Sequence, residues 1–330
     1  MALRVVEHRQ LLYIITMFLI VQFAGIALAT QVFSGATLHA ISSVQTIGNS
    51  AEGAVLYIGW IVIFSVLLLV LLRVIKGDWL FLALELFIVI SASFIFFLLL
   101  ITSLTGTAYA AIFGQGPSIY VLALSFVLAA ALMAAKFRLP RLRNVTAIVA
   151  SIGVGLALGI SFGFVAALIF MIILAVYDFI AVFITKHMVT LGNMAVNRNM
   201  SLMVMASEIE AVPMSNLTKS ERSEYKKAKP ALAKEGGIMR MLVSSNIVPV
   251  AARTALGTGD LAVPLMLSVA AYKVYFNFTL SLVVASGGFL GILITMYVLR
   301  KYKRPLPAIP FLLFGILVAL VAFRLALLFS

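Results

Sequence analysis

Two aspartates lie where the sequence otherwise predicts hydrocarbon surroundings. Asp178 follows thirteen consecutive apolar or small residues, 165–177, and Asp260 ends the tetrad Gly257-Thr258-Gly259-Asp260 at the head of another apolar run. A carboxylate at the centre of a membrane helix costs roughly 2.5–3.5 kcal/mol on insertion scales. Two such residues on separate segments therefore indicate a pair that performs chemistry or moves protons.

Two carboxylates that lie close together cannot both ionise cheaply at neutral pH, so they share a proton and titrate as a pair. The ionised member can take a proton from a water, and the protonated member can polarise the carbonyl that this water attacks. Gly257 and Gly259 suit such a site because, without side chains, they let a backbone approach Asp260. We therefore expect Asp178 and Asp260 to be catalytic and the two glycines to shape the site.

The residues also allow a purely structural interpretation of each aspartate. Asp260 could cap a helix that starts near Leu261, and Asp178 could pair with Lys186 two turns later. The depth of the carboxylates favours the paired interpretation, because Asp178 lies eight residues before Lys186 and Asp260 lies seven residues after Arg253. On antiparallel helices this places both carboxylates roughly 10–12 Å from the cytoplasmic boundary.

The elements that carry the aspartates are membrane helices by composition. Of the 330 residues, 64% are hydrophobic and 11% are charged, and the apolar residues form long blocks. We predict an all-α integral membrane protein with nine transmembrane helices, its N-terminus cytoplasmic and its C-terminus external. The predicted spans lie at about 11–33, 54–75, 79–101, 118–136, 146–162, 164–184, 256–276, 279–299 and 308–328.

The basic residues set the orientation. With the N-terminus inside, 22 of the 24 Lys and Arg residues fall in cytoplasmic segments, and the external loops contain none. The other two, Lys273 and Arg324, lie near the outer ends of their spans, from which long side chains can snorkel. This positive-inside pattern explains the formal charge of +13 by orientation and by contact with anionic lipid. We expect no nucleic-acid partner, and we expect a multi-pass protein of the cell membrane.

The first span contains Ala27-Leu28-Ala29 and resembles a signal peptide with a cleavage site. Its apolar stretch is longer than that of a usual signal peptide, so we favour a retained anchor. Spans five and six are separated only by Gly159-Ile160-Ser161-Phe162-Gly163, so they form either a tight hairpin or one misjudged block.

Glu85 lies nine residues beyond Lys76 and is expected to reach the membrane interface.

Other chemistries find little support. The chain has no cysteine, which excludes disulfides, thiol nucleophiles and cysteine-bound metals. Residues 159–163 match the Gly-x-Ser-x-Gly elbow of serine hydrolases, but that motif needs a strand–turn–helix context and here lies between apolar spans. There is no His-Glu-x-x-His motif, and we expect neither a metal nor a cofactor.

The chain divides into three regions: a membrane block at 1–185, a cytoplasmic hydrophilic loop at 186–250, and a second membrane block at 251–330. We interpret the loop as a mobile linker or, alternatively, as a partly helical element on the membrane surface that gates the site. The segment Pro305-Leu306-Pro307-Ala308-Ile309-Pro310 has three prolines, which prevent a helix and favour extended backbone. It is either a rigid stop or a backbone wall that could pair with an extended peptide.

Tyr177-Asp178, Gly257-Thr258-Gly259-Asp260 and Pro307-Ala308-Ile309-Pro310 resemble, in order and spacing, the YD, GxGD and PAL motifs of the presenilin and signal peptide peptidase family of intramembrane aspartyl proteases. The likeness is greatest to the archaeal presenilin homologues. Ile309 stands where the family usually has leucine. The resemblance implies a presenilin-like fold and a catalytic pair formed by the two aspartates. It also implies that Tyr177, Gly257, Gly259, Pro307, Ala308 and Ile309 shape the site or help to hold the substrate.

The resemblance thus implies an aspartic-type intramembrane endopeptidase that cleaves transmembrane segments of membrane proteins within the lipid bilayer. It leaves open whether several copies form a homo-oligomer. The alternative from another class is a proton- or cation-coupled transporter or channel that uses the two membrane aspartates. The proline segment and the lack of a detectable inverted repeat favour the protease. A prepilin-peptidase-like enzyme would have no reason to carry the Pro-Ala-Ile segment.

Overall fold

The computed structural model describes residues 2–34, 78–113, 119–184, 201, 203–213, 247–302 and 306–329. Within these residues the chain forms eight α-helices and one pair of β-strands. The helices are α1 (Ala2–Ser34), α2 (Asp78–Phe113), α3 (Ile119–Arg138), α4 (Arg143–Ser161), α5 (Phe164–Phe179), α6 (Thr258–Tyr275), α7 (Phe278–Tyr302) and α8 (Ile309–Leu328). The strands are β1 (Met203–Pro213) and β2 (Ile247–Gly257).

Seven of the described helices are long and apolar enough to cross a membrane, which confirms the prediction of a helical, multi-pass membrane region. The spans are Gln10–Phe33, Leu82–Thr105, Ile119–Arg138, Arg143–Ser161, Phe164–Ile184, Phe278–Leu299 and Ile309–Leu328. The remaining helix, α6, carries Asp260, Pro264 and Lys273 and is more polar. The predicted span at 54–75 lies outside the described residues, so the count of nine and the orientation of the termini stay predictions.

The fifth and sixth predicted spans are two separate helices. α4 ends at Ser161, and α5 begins at Phe164 after Gly163, whose backbone is extended with φ −77° and ψ 162°. Phe162 is buried in the turn and its ring centroid lies 5.3 Å from that of Phe170. The Ser161 hydroxyl donates to the Ala157 carbonyl at 2.8 Å, within its own helix. The turn is therefore a helical hairpin rather than a hydrolase elbow.

The strand pair is a difference from the predicted fold, which expected a linker or a partly helical element here. β1 and β2 each contain valines, but also Glu, Ala, Pro or Gly, which are depleted in strands, so their composition alone does not predict the pair. Backbone contacts divide the chain into two units. One unit comprises Met1–Ile14 and Met205–Ala255, and the other comprises Ile15–Val204 and Leu256–Ser330. The residues expected to act lie in the second unit.

α6 is the central helix of the second unit. Every residue from Leu261 to Ala271 is buried. α6 packs against α4, α5, α7 and α8, and Gly25 of α1 lies against Leu265 of α6. A helix that is buried all round has protein neighbours on every side. These neighbours allow α6 to carry charged residues that lipid would not tolerate.

Glycines set the close approach of the helices. A Cβ added at Gly159 of α4 would lie 2.6 Å from the Cβ of Val269 in α6. A Cβ added at Gly291 of α7 would lie 2.5 Å from the Cα of Leu312 in α8. Lipid provides no hydrophobic reason for helices to associate, so close backbone packing at small residues replaces it.

A two-residue turn joins α6 to α7. Phe276 ends α6 in the left-handed region with φ 48°, an uncommon conformation for a residue other than glycine. Asn277 then caps α7, because its Oδ1 accepts a hydrogen bond from the Leu280 N–H at 3.1 Å. Lys273, expected to snorkel, is half-buried and donates instead to the carbonyl of Ile160 at the end of α4. The turn and the lysine together hold the C-terminal end of α6.

Glu85 lies in the protein interior, contrary to the prediction that it reaches the membrane interface. The side chain is on α2, and the residue is 3% exposed. It forms an ion pair with Lys136 of α3, and the Ser201 backbone N–H donates to the same Oε1 at 2.5 Å. The physical reason is that a cation on the neighbouring helix neutralises the carboxylate more effectively than partial hydration would.

We predict that Glu85→Gln destabilises the protein by about 3–5 kcal/mol, because it leaves the Lys136 ammonium buried without a counter-charge. Thermal unfolding in detergent measures this loss. The double variant Glu85→Gln with Lys136→Met should recover most of it, since glutamine still offers an acceptor to the Ser201 N–H and no charge remains. A double variant as unstable as the single variant would contradict this explanation.

Candidate functional site

Asp178 lies near the end of α5 with its side chain turned into the protein. The residue is 5% exposed, and α5 packs against both α6 and α8. The Ile309 backbone N–H donates to Asp178 Oδ2 at 3.3 Å, and the Ala308 backbone N–H also interacts with the carboxylate. Asp178 is therefore held by backbone groups 130 residues later in the chain. Lys186, the partner in the local interpretation, lies outside the described residues.

The start of α8 explains why it can hold a carboxylate. α8 begins at Ile309, and the first N–H groups of a helix have no partner within it. Pro310, at the second position, has no N–H, so the donors available at this end are concentrated at Ala308 and Ile309. The N-terminus of a helix also has a positive dipole end that favours an anion. The backbone N–H groups that precede Pro310 therefore form a binding site for the Asp178 carboxyl group.

Asp260 is the third residue of α6 and has a capping role. The helix follows Gly257, whose backbone is extended with φ −64° and ψ 145°. The Gly257 N–H donates to Asp260 Oδ2 at 3.2 Å, which is one half of a capping box. The expected capping role of this aspartate is therefore present, and the residue is also partly exposed.

The two aspartates lie on helices that pack against each other. α5 carries Asp178 and contacts α6, which carries Asp260. Among the described residues the ion pair found is Glu85–Lys136, which involves neither aspartate. Two neighbouring carboxyl groups with backbone donors on one oxygen each can share a proton and polarise a water.

Open space lies beside Asp260. Gly259 is exposed, and a Cβ added there would meet no atom of the described residues within 4 Å. A Cβ added at Gly257 would lie 3.2 Å from Asp260 Oδ2. The two glycines thus differ: a side chain at Gly257 would crowd the carboxyl group, whereas a Cβ at Gly259 would meet no described atom nearby.

The proline segment is more helical than expected. Pro307 and Ala308 precede the helix, but Ile309 and Pro310 form the first turn of α8, where proline is tolerated. Pro307, Ala308 and Ile309 are all buried. The Ile309 N–H is engaged by Asp178, so this group is not free to pair with an extended peptide.

Some features of the site had no signal in the sequence. Tyr177 is 43% exposed on the surface of α5, away from the buried side that carries Asp178. A π-helical turn, Ile180–Ile184, follows α5 directly after the aspartate, and such turns are frequent at functional sites. The apolar residues of this turn gave no hint of it. Among the described residues, no group of three or more His, Asp or Glu side chains could hold a metal ion.

Comparison with known proteins gives one family. The model of the signal-peptide peptidase and presenilin aspartyl protease family matches residues 15–329. Two crystal structures of a presenilin-family intramembrane aspartate protease are similar in fold. The C222 form has a TM-score of 0.56 at 24% identity, covering 96% of this chain and 99% of the other. The P2 form has a TM-score of 0.55 at 22% identity, covering 94% of this chain and 96% of the other. Curated proteins show no significant match.

We predict that Ile309→Leu changes stability by less than about 1.5 kcal/mol, because the volume is conserved and the backbone N–H that donates to Asp178 is kept. Ala308→Leu should cost about 1–3 kcal/mol, because it forces extra volume into a buried position beside the same carboxylate. Thermal unfolding in one detergent compares the two. An Ile309→Leu protein less stable than Ala308→Leu would show that the side chain of Ile309 matters more than its N–H.

Proposed function

Because this chain belongs to the signal-peptide peptidase and presenilin aspartyl protease family, we propose that it hydrolyses peptide bonds within transmembrane segments, with Asp178 and Asp260 as the catalytic pair. The family makes it an aspartyl protease, and its apolar helices make it a multi-pass membrane protein. The observation that carries the proposal is that the two aspartates lie on helices in contact, α5 and α6, and that each accepts a hydrogen bond from a backbone N–H. We place the enzyme in the cell membrane.

The chemistry follows from two carboxyl groups that share one proton. The ionised group takes a proton from a water, and this water attacks the peptide carbonyl. The protonated group donates to the carbonyl oxygen as negative charge develops on it. Either aspartate can take either role. This mechanism needs no metal, because the attacking water is activated by the carboxylate itself.

Backbone donors orient both carboxyl groups. Ile309 donates to Asp178 Oδ2, and Gly257 donates to Asp260 Oδ2. In our proposal these contacts leave the Oδ1 atoms to share the proton and to face the water. A fixed orientation matters because a displacement of about 1 Å at a reacting group can cost roughly 100-fold in rate.

The substrate approaches along the free volume beside Gly259. A carbonyl inside a helix is hydrogen-bonded and shielded, so a transmembrane substrate must unwind before water can attack it. The unwound stretch needs space next to Asp260, which the lack of a side chain at Gly259 provides. In this proposal the exposed Tyr177 meets the arriving substrate, the buried Pro307 shapes the site from within, and the bilayer delivers the substrate laterally.

We predict that Asp178→Asn and Asp260→Asn each abolish cleavage, because an amide can neither take a proton from water nor share one. Purified protein in detergent is incubated with a reporter transmembrane peptide, and the products are identified by mass spectrometry. Asp78→Asn is the matched control, since Asp78 is the third aspartate of the chain and begins α2. It should cleave like the wild type.

Full cleavage by either of the two site variants would refute the catalytic pair. A folded wild type that cleaves no peptide in the assay, but conducts protons or cations in liposomes when Asp260 is intact, would favour the transporter alternative. The products also locate the cut relative to the ends of the apolar segment.

We predict that Gly259→Val lowers cleavage strongly and that Gly259→Ala lowers it less, because each added carbon fills volume that the substrate backbone needs. Both variants should keep the unfolding temperature of the wild type, since the new Cβ meets no described atom within 4 Å. Initial rates and thermal unfolding are measured on the same preparations. Wild-type rates for Gly259→Val would show that the substrate does not pass this residue.

A further inference from the structure

One face of α1 packs along the first turns of α6. Phe18, Gln22 and Gly25 follow the i, i+4, i+7 spacing of a helix face, and all three are buried. Gly25 lies against Leu265, and Gly288 of α7 lies within reach of both Phe18 and Pro264. α1 is therefore a neighbour of the part of α6 that follows Asp260.

Gln22 is the polar residue in this face. It is 1% exposed, and its Nε2 donates to the carbonyl of Leu261 at 3.1 Å. Leu261 is the residue directly after Asp260. The amide must have its nitrogen towards Leu261, because its oxygen would repel the carbonyl oxygen. A side chain 239 positions earlier in the chain thus holds the turn that carries Asp260.

α6 needs an external donor at this turn. Pro264 has no N–H, so it cannot complete the helical hydrogen bond to the Asp260 carbonyl, and its ring crowds that carbonyl. In membrane helices, neighbouring side chains satisfy backbone groups that a proline frees or displaces. Gln22 donates to the next carbonyl, that of Leu261, which the proline does not free, and so adds a hydrogen bond to the turn that the proline weakens. The turn between Asp260 and Pro264 is held from outside as well as by its own helix.

Packing alone does not explain a glutamine at this position. A buried amide without its full set of hydrogen bonds is costly, whereas methionine has a similar length and no such cost. The Gln22 Oε1 is buried and has no donor among the described residues. Burial of Gln22 Oε1 without a donor therefore destabilises the folded protein. The hydrogen bond from Nε2 to the Leu261 carbonyl offsets this free-energy cost.

We propose that Gln22 is a positioning residue for Asp260, acting through the Leu261 carbonyl. The proposal rests on the catalytic role proposed for Asp260. By fixing the first turn of α6, Gln22 sets the position of the Asp260 carboxyl group relative to Asp178. α1 is in this way part of the site, although it lies at the far end of the sequence and contributes no group to the reaction.

The test is the variant Gln22→Met, which keeps the length of the side chain and removes the donor. We expect kcat to fall roughly 10- to 100-fold, because a slightly displaced reacting group loses rate steeply. KM should change little, since the substrate path is untouched. The matched control is Gln31→Met on the same helix. Gln31 also makes a contact between helices, accepting from the Ser103 hydroxyl at 2.6 Å, and its loss should leave kcat unchanged.

A second variant, Gln22→Glu, provides a readout that a loss of packing would not change. A protonated glutamic acid can donate to the Leu261 carbonyl, but an ionised one cannot. The activity of Gln22→Glu relative to the wild type should therefore rise as the pH is lowered. The ratio to wild type is used because Asp178 and Asp260, the carboxyl groups near this turn, titrate in both proteins.

The positioning role is overturned if folded Gln22→Met has the kcat of the wild type. It is also overturned if the activity ratio of Gln22→Glu does not vary with pH. Asp260→Asn in the same assay separates this inference from the proposed function. Loss of cleavage in Asp260→Asn with an unchanged Gln22→Met refutes only the positioning role, whereas cleavage by Asp260→Asn refutes the catalytic pair itself.

Discussion

The hydrogen bond between the Ile309 N–H and the Asp178 carboxylate constrains the whole membrane bundle. It requires the N-terminus of α8 to end against α5 at the depth of the aspartate. The position of α8 is set in turn by its close glycine packing on α7, where Gly291 meets Leu312. α7 follows α6 after a turn of two residues, and α6 carries Asp260. The backbone contact of one aspartate is thereby coupled through three helices to the position of the other.

Charged groups inside this bundle fall into two classes, and the difference separates stability from function. Glu85 and Lys136 neutralise each other, so their pair has a structural explanation. Lys273 is satisfied by a backbone carbonyl at a helix end. Asp178 and Asp260 have the same sign and depend on backbone N–H groups instead of a cation. Buried carboxyl groups without a cation are costly, and a functional site is a common reason for keeping them.

The sequence predicted the apolar spans well, because hydropathy and length determine which segments enter a bilayer. The depth of the two aspartates stays a prediction, and for Asp260 the helical rise was counted from Arg253, which lies in strand β2. The sequence did not predict which way each helix faces. The burial of Glu85, the contact of Ile309 with Asp178 and the contact of Gln22 with Leu261 all depend on helix rotation. Rotation is set by packing between distant segments, and the strand pair likewise depends on partners that no local pattern identifies.

The short turn at Phe276 and Asn277 bears on how the chain enters the membrane during synthesis. α6 carries Asp260 and Lys273, and on insertion scales two such charges cost roughly 5–7 kcal/mol if they lie deep in the bilayer. α7 is strongly apolar and follows after only two residues. A translocation channel can therefore contain α6 and α7 together. The free energy of transfer into the bilayer that decides their insertion is then the sum for both helices. The apolar α7 then offsets the polarity of α6, and the polar helix that holds half of the site is integrated as one arm of a helical hairpin.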